Sequence, residues 1–580
     1  MMVSPLRIGA VIAPLVSRAL SAFAVIALIG LLPWLSGSDP ALSVLRAKSA
    51  EQEATPEALQ AIRSQLGLDQ GPLALLWQWW RGILQGDAGH SWISGKPVLP
   101  AMVDAAGVSL TLMGAALTLA ILVATLLCVS TLRNGLRGKA DSSHGAWAMA
   151  FTTLPEYLLA SLLLMVGAVW LPLFPPYGWH GVQHLVLPAL SLGLPAGGLL
   201  ARLLADALRS TFAEPWLITW RVAGISQFDC AIAVLRRALP ALLPQIGFIT
   251  VGLTGGAVAV EKIFAIPGLG RATLGASAAQ DLPALQCGVL LLLLIATVSG
   301  TLGNLLRQLI LGRALRSGSL PAPTISPMRR PHYAFPIAIA LILALLIAVG
   351  LTRDPLASDF LRLQPPSLAL PLGADATGRD LLARVAHGAF ATLITATGVS
   401  AACLLLGIVF GLFPRLFIGP MEIANALPPM MAGLIVVTLT GPSTYGAALA
   451  VMLVSWAPLA AHTAALVEEI LARPYVRITP LLGIGRWHRF TGYVLPALIG
   501  PVTRHALVRF PGITLALTAL GFLGLGQQPP YPEWGRIVAE GMPYIERAPW
   551  AVLAPVATLM LLAMLAVSLG QMANGVKSMK

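Results

Sequence analysis

The sequence predicts an all-α integral membrane protein with about twelve transmembrane helices, arranged as two parallel six-helix repeats. Three observations point there. Of 580 residues, 57% are hydrophobic and only 11% are charged, whereas soluble domains carry about 25% charged residues. Apolar runs that reach the roughly 20 residues needed to cross a bilayer recur along the whole chain. These runs fall into two sets of six, separated by a Pro-, Ser- and Arg-rich interval at 312–333.

The first set lies near 10–35, 105–130, 147–173, 184–205, 241–260 and 286–311. The second lies near 334–352, 390–413, 423–440, 444–466, 495–520 and 551–573. Both halves, 1–311 and 334–580, follow one plan. A first span leads into an extracytoplasmic segment, 36–102 or 353–388, and five spans follow, with a long basic loop between the fourth and fifth. An even number of spans returns the chain to the same side, so the repeat is parallel, as in many transporters. The apolar stretch after Arg18 reaches Leu35 with no A-x-A site behind it. It reads as a retained first helix and not as a signal peptide.

Charge sets the orientation. The net charge is +13, and its carriers are clustered. Arg133, Arg137 and Lys139 occupy one loop, and Arg209, Arg221, Arg236 and Arg237 another. Arg313, Arg316, Arg329 and Arg330 occupy the linker, while the loop at 174–183 has no Lys or Arg. The positive-inside rule places the basic loops, the linker and both termini in the cytoplasm. The basic excess thus faces the inner side of a membrane, and a nucleic-acid partner is excluded. In the outer segment 353–388, Arg353, Arg362, Arg379 and Arg384 balance Asp354, Asp359, Asp375 and Asp380. In the other outer segment, Pro56 and Glu57 open a helical pattern that Gly67 is placed to end. Cys128, Cys230, Cys287 and Cys403 form no CxxC or Cys/His cluster, which argues against a disulfide framework or a zinc site.

The two long inner loops read EPWLITWRVAGISQFDCAIAVLRRALPALLP (214–244) and RPYVRITPLLGIGRWHRFTGYVLPALIGP (473–501). Each has an aromatic residue, a short helical segment, a glycine, then an apolar helix ending in Leu-Pro. Gly224 and Gly483 let the backbone turn through the left-handed region. Each loop therefore reads as two angled helices on the basic face, a knob shaped for a partner's groove. Its residues are Trp216, Thr219, Arg221, Gly224 and Ser226 in the first half, and Tyr475, Arg477, Gly483 and Gly485 in the second.

These loops resemble the coupling ("EAA") loop of permease subunits in ATP-binding-cassette (ABC) importers. The rest of the chain resembles the dipeptide/oligopeptide/nickel branch of that family. In the first half the likeness is carried by SGSDP (36–40), TPEALQAIRSQLGLD (55–69), LPEYLLASLLL (154–164), HLVLPALSLGLP (184–195) and IFAIPGLGR (263–271). In the second half it is carried by PLGADATGRDLLARVAHGA (371–389), MEIANALPPMMAGLIVVTLTGP (421–442) and FLGLGQQPPYPEWG (522–535). The chain thus looks like the branch's first and second permeases fused into one. The resemblance implies a type I ABC importer permease fold, multi-pass in the bacterial inner (cytoplasmic) membrane. It implies two partner ABC ATPase domains at the cytoplasmic face, which carry the ATP and Mg, and an extracytoplasmic substrate-binding protein. This chain itself would bind no cofactor. The implied substrates are peptides, nickel or metal chelates of the opine-metallophore kind.

Two departures qualify the likeness. Neither loop keeps Glu-Ala-Ala: Thr219-Trp220-Arg221 and Ile478-Thr479-Pro480 stand there. The step from Gly483 to Pro496 is 13 residues, as the family expects, but Gly224 to Pro240 is 16. Three extra residues are most of a helical turn, so the first loop is expected to meet its ATPase at a shifted angle. Pro480 is expected to interrupt the short helix before Gly483.

Two glycine-rich loops follow the fifth span of each half and, by alternation, lie at the outer mouth. They hold Pro267, Gly268 and Gly270 in the first half, and Gly524, Gly526, Pro532, Glu533, Trp534 and Gly535 in the second. The glycines permit close backbone approach, and Trp534 reads as an anchor at the membrane interface. Either a docking rim for the binding protein or plain helix re-entry accounts for them.

The chain has no phosphate-binding loop. Gly95-Lys96 is followed by Pro97 and has His90 where the motif's first Gly belongs. No catalytic constellation stands out, so the chain reads as a transporter component and not an enzyme. An ion-coupled secondary transporter is the alternative, but it would need polar groups deep in the membrane, and few exist. The ionisable residues near spans read as structural: Glu422 and Asn425 at the inner interface, Asp206 paired with Arg202, His184 and His462 as isolated histidines. Met430-Met431 reads as packing.

Overall fold

The computed structural model describes residues 20, 23–25, 27–28, 31, 40–48, 55–138, 151–152, 155–239, 242–316 and 334–575. Among these, helices account for all regular structure, with two isolated β-bridges, His90–Pro97 and Ala374–Asp380. In the first half, after short helices at Pro40–Lys48, Pro56–Gln65 and Pro72–Leu84, come α1 (Val98–Leu136), α2 (Glu156–Leu163), α3 (Val182–Phe212), α4 (Pro215–Val222), α5 (Gln227–Ala238), α6 (Leu243–Ile263), α7 (Leu269–Ala278) and α8 (Leu282–Arg316). In the second half they are α9 (Ala334–Leu351), α10 (Leu381–Gly411), α11 (Pro414–Ala426), α12 (Pro429–Thr440), α13 (Thr444–Ala472), α14 (Leu495–Leu523), α15 (Trp534–Gly541) and α16 (Trp550–Gly575). Among the described residues, seven helices are long and apolar enough to cross a membrane: α1, α3, α6, α8, α10, α13, and α14 with its run-in from Arg486. α11 and α12 form a sharply bent apolar pair, a broken span or a re-entrant loop, and α2, α9 and α16 are shorter apolar helices at the remaining expected positions. The expected first span, 10–35, lies mostly outside the described residues, as does the linker from 317 on.

The expected ninth span is not straight. It breaks between Asn425 and Pro429 with a bend of 98°. Pro428 and Pro429 stand in succession there, and a proline drives the residue before it out of the helical region. Leu427 accordingly adopts φ −91 and ψ 117. The bend points into the other half, where Gly255 of α6 leaves room for it. A methyl group on Gly255 would sit 2.6 Å from Cβ of Pro428.

Corresponding helices in each half are packed by small residues. Gly193 and Gly197 of α3 lie against the backbone of α1 at Ala116 and Ala120. Gly407 and Gly411 of α10 lie against Leu459, Ala460 and Thr463 of α13. The same pair, second span on fourth, is thus drawn together in both halves, with the glycines on opposite partners. Close van der Waals approach of this kind drives helix association where lipid provides no hydrophobic force. One continuous buried apolar core runs through both halves, and all four cysteines are buried.

The outer segments carry local order. Thr55 caps the helix Pro56–Gln65 by accepting the Ala58 N–H, and Gly67 follows it at φ 70. In the second half the balanced charges form a network. Arg353 pairs with Asp380 at 2.8 Å, Arg379 with Asp375 at 2.7 Å, and Arg384 with Glu540 of α15 at 2.7 Å. The charges therefore fasten the outer segment to the loop after the fifth span.

Candidate functional site

The long loops between the fourth and fifth spans are built differently in the two halves. In the first, α4 runs on to Val222, Gly224 turns at φ +78, and Ser226 caps α5. The Ser226 hydroxyl accepts the Asp229 N–H at 3.1 Å. Glu214 braces the loop: it accepts from Trp216 Nε1 at 2.6 Å and pairs with Arg237 at 3.3 Å. Arg221 donates to the Gly135 carbonyl at 2.6 Å, fixing the knob to the C-terminal turn of α1, where a cation also suits the helix dipole. Thr219 bonds back to Pro215 along α4.

In the second half the first short helix covers only Pro474–Arg477 and stops three residues before Pro480. Gly483 turns at φ +73, and Gly485, with an ordinary φ of −62, caps a four-residue helix, Arg486–Arg489. That helix continues through a π segment, Phe490–Val494, straight into α14. In the first loop α5 ends at Ala238 and α6 begins at Leu243, with residues 240–241 outside the described residues. Pro240, which sets the longer spacing, lies outside the described residues.

Both knobs project apolar side chains. Val222 is 85% and Leu481 86% exposed, and Ile218, Phe228, Leu482, Tyr475 and Trp487 are exposed with them. Leu217 and Val476 point the other way and are buried. Arg477 and Arg486 keep the surroundings basic.

The outer loops solve a different problem from the one the sequence suggests. Each half buries a carboxylate under its loop. Glu261 of α6 accepts from Ser109 Oγ at 2.5 Å and from the Arg271 N–H at 2.9 Å, while Ser109 accepts the Leu269 N–H at 2.8 Å. Carboxylate and hydroxyl together cap the start of α7. A methyl group on Gly268 would collide with that carboxylate, and one on Gly270 would collide with Val258 and crowd it. In the second half Glu533 accepts the Gln527 N–H at 2.7 Å, and Gly521 and Gly526 stand where side chains would displace it. The glycines make room for glutamates. Pro532, Gly535 and Trp534 are buried too, and Trp534 is 0% exposed. The interface-anchor expectation for Trp534 is therefore corrected: α15 folds back onto α14 and encloses the indole. Pro267 and the tip at Gln528–Tyr531 are exposed.

Burial pushes the Glu533 carboxyl up from 4.5 to about 7, against the opposing Gln527 N–H and Arg536 charge. The fold thus holds this proton more tightly than the unfolded chain does. Its contribution to stability is full below pH 4.5 and is lost as pH rises to about 7. Unfolding followed from pH 4.5 to 8 should show wild type losing on the order of 3 kcal/mol that Glu533→Gln does not lose. Parallel pH profiles for the two would contradict the burial.

The halves meet beside these loops. Tyr157 of α2 bonds Thr518 Oγ1 of α14 at 2.7 Å and packs its ring on Phe522. Lys262 donates to the Phe522 and Leu523 carbonyls at 3.3 and 3.0 Å, closing the C-terminal turn of α14 from the opposite half. Sequence reading missed Tyr157, Glu261 and Lys262. The available signal was a charged pair, Glu261-Lys262, inside an apolar run.

Asp206 pairs with Arg209 at 3.2 Å, not with Arg202. An arginine C-terminal to its acid is the favoured order on a helix. Glu422 and Asn425 are exposed on the short arm of the bent span, and Met431 is buried packing. His462 stacks face to face on His505 at 4.3 Å, and His184 meets His180 edge to face at 5.5 Å. Among the described residues no group of three or more His, Cys, Asp or Glu is placed to hold a metal ion.

Two like helical halves, each with an angled two-helix knob between its fourth and fifth spans, define a two-repeat membrane transport permease. The chain belongs to the family described as binding-protein-dependent transport system inner membrane component, whose model matches residues 116–316 and 394–574. It is 38% identical over 225 residues to the di/tripeptide transport system permease protein DppC of Pseudomonas aeruginosa (strain UCBPP-PA14), covering 36% of this chain and 74% of that one. It is 28% identical over 294 residues to the metal-staphylopine import system permease protein CntB of Staphylococcus aureus (strain NCTC 8325 / PS 47), covering 50% and 92%. It is 29% identical over 245 residues to the glutathione transport system permease protein GsiC of Salmonella choleraesuis (strain SC-B67), covering 42% and 79%. Most of each relative corresponds to no more than half of this chain, and the family model matches twice. The protein is therefore a fusion of two permease halves. It is a multi-pass inner-membrane component of an ABC-type importer, a transport permease and not an enzyme.

Proposed function

We propose that this protein forms the whole transmembrane pathway of an ATP-driven importer for peptides or small metal chelates, with a separate ATPase domain on each knob. The carrying observation is the pair of apolar knobs on the arginine-rich face, each turned by a glycine at positive φ. ATP-driven closure of the ATPases would push both knobs and rock the halves about the Tyr157–Thr518 and Lys262 joint, alternating access. An extracytoplasmic binding protein would deliver substrate, with the exposed tip Gln528–Tyr531 and Pro267 as its contact. Peptides are favoured as substrate by the relatives named for peptide and glutathione transport, and metal chelates by the one named for metal-staphylopine import. The two knobs differ, so their coupling would be unequal. The second knob, continuous with α14, would transmit motion directly, and the first through the Arg221 bond to the end of α1.

Proline cannot adopt the positive φ of Gly224 or Gly483. The purified chain, assembled in lipid nanodiscs with the ATPases encoded beside it, should hydrolyse ATP faster when the loaded binding protein is added. Gly483→Pro should reduce that rate to the unstimulated level, and Gly224→Pro should reduce it less. Stimulation that survives in both variants, or substrate uptake on an ion gradient without ATPase, would overturn the proposal.

A further inference from the structure

α14 carries an arginine, Arg509, midway along its membrane-spanning length. At 1.5 Å per residue it stands about 20 Å from either end of the helix, further than its side chain reaches. The helix face it occupies is the buried one. Val502, Ala506 and Ile513 share that face and are all buried, whereas Leu507, on the opposite face, is 63% exposed. The guanidinium therefore turns into the bundle and not towards lipid. Among the described residues it makes no hydrogen bond and no ion pair, and its Nε is enclosed without a partner. Its electrostatic neighbours are His505 and the Cys403 thiol of α10, and neither group is ordinarily an anion near pH 7. His505 lies one turn earlier on the same face, and its ring stacks on His462 of α13 at 4.3 Å.

An arginine cannot shed its charge on burial, because it stays protonated at any physiological pH. A charged side chain inside a membrane is costly, and where one is kept it pairs with a partner or marks a substrate path. The surrounding helices supply no partner. α10 and α14 contain no acidic residue, and the acids of α13, Glu468 and Glu469, lie in its last two turns, where Glu469 pairs with Arg473 at 3.0 Å. The missing anion therefore comes from outside the fold. The terminal nitrogens of a guanidinium form a planar fork that matches a carboxylate through two parallel N–H···O bonds. His505 adds an imidazole N–H one turn away. A lipid headgroup does not reach this donor set, which faces the interior far from both ends of the helix.

We propose that Arg509, with His505 beside it, forms an intramembrane site for a carboxylate group of the transported molecule. That the carboxylate belongs to a transported molecule rests on the importer reading. The site itself does not, and its test uses neither ATPase nor transport. The full chain is placed in phosphatidylcholine nanodiscs at pH 7.5, and thermal unfolding is followed with sodium N-acetylglycinate, with N-acetylglycinamide, or with sodium chloride at equal ionic strength. N-Acetylglycinate should raise the midpoint by about 2 °C at saturation. The amide, which has the same shape and no charge, should not, and neither should chloride. Arg509→Met should lose the response. Arg509 makes no bond in the fold, so this variant should keep the basal midpoint or raise it. His505→Phe keeps a ring against His462 and removes the N–H, so it should raise the half-saturating concentration about 3–10-fold. It remains a valid test if Arg509→Met folds poorly. A response to dialanine supports the site and assigns it to peptides, and a response to nickel citrate without one to dialanine supports it and assigns it to metal chelates. An N-acetylglycinate response in a chain that recruits no ATPase would leave the site standing and the importer reading fallen. Equal midpoints with the acid and the amide, a response retained in Arg509→Met, or an unchanged half-saturating concentration in His505→Phe would overturn the site.

Discussion

Arg384→Met will destabilise the second half by about 1.5–3 kcal/mol, the usual worth of a hydrogen bond to a charged group, because Asp375 keeps Arg379 at 2.7 Å and Glu540 keeps Arg536 at 3.0 Å. Arg384 is 1% exposed at the start of α10. Its guanidinium donates to Glu540 at 2.7 Å and lies 3.4 Å from Asp375. Burial alone would raise the Asp375 carboxyl, but the Arg379 N–H, the Thr377 hydroxyl and the Arg384 charge together hold it below its usual range. Methionine replaces the aliphatic stem and leaves the two carboxylates without their central cation. Glu540 is partly exposed, so Glu540→Gln should cost only about 1 kcal/mol. Denaturant unfolding of both variants checks this. Equal losses would show that Arg384 contributes packing and not charge. Adding Glu540→Met to Arg384→Met should restore part of the loss, because the two residues are coupled.

That network also shows where sequence reasoning reaches its limit. Composition and charge clustering marked the spans, the repeat and the cytoplasmic knobs, because each is a local property of consecutive residues. The balance of Arg353, Arg379 and Arg384 against Asp375 and Asp380 was visible as a sum. That it is a folded network reaching Glu540 was not, since Arg384 and Glu540 lie 156 residues apart. The outer glycines were legible as places of close approach, but what approaches them was not. Gly268 meets Glu261 only because the chain reverses between α6 and α7. Trp534 was misplaced for a related reason. A tryptophan beside prolines at a span's end suggests the lipid interface, and only the packing of α15 onto α14 shows it enclosed. Pro428-Pro429 did carry the signal for a bend, yet an apolar run that spans by length concealed it.

Gly535→Ala will be the most damaging single-methyl change among the described residues, costing at least about 3 kcal/mol. Gly535 sits in the first turn of α15, directly on α14. An added methyl would overlap the Thr518 carbonyl oxygen and come within 2.6 Å of the Phe522 nitrogen. Both are backbone atoms in a helix, so no rotamer change relieves the clash, and α15 must lift. Lifting it disturbs three things at once. Glu533, at the N-cap of α15, loses its seat beneath Gly521 and Gly526. Trp534 is opened to solvent. Thr518 is the residue that Tyr157 bonds from the other half, so the joint is disturbed as well. Gly275→Ala in α7 is the matched control. It lies in the corresponding helix of the first half, and nothing stands within 4 Å of the added methyl. It should be neutral, or stabilising by up to about 1 kcal/mol through helix propensity. Folded yield and thermal midpoint in nanodiscs separate the two. If Gly535→Ala behaves like Gly275→Ala, α15 is not seated on the α14 backbone, and neither the enclosure of Trp534 nor the cradle for Glu533 stands.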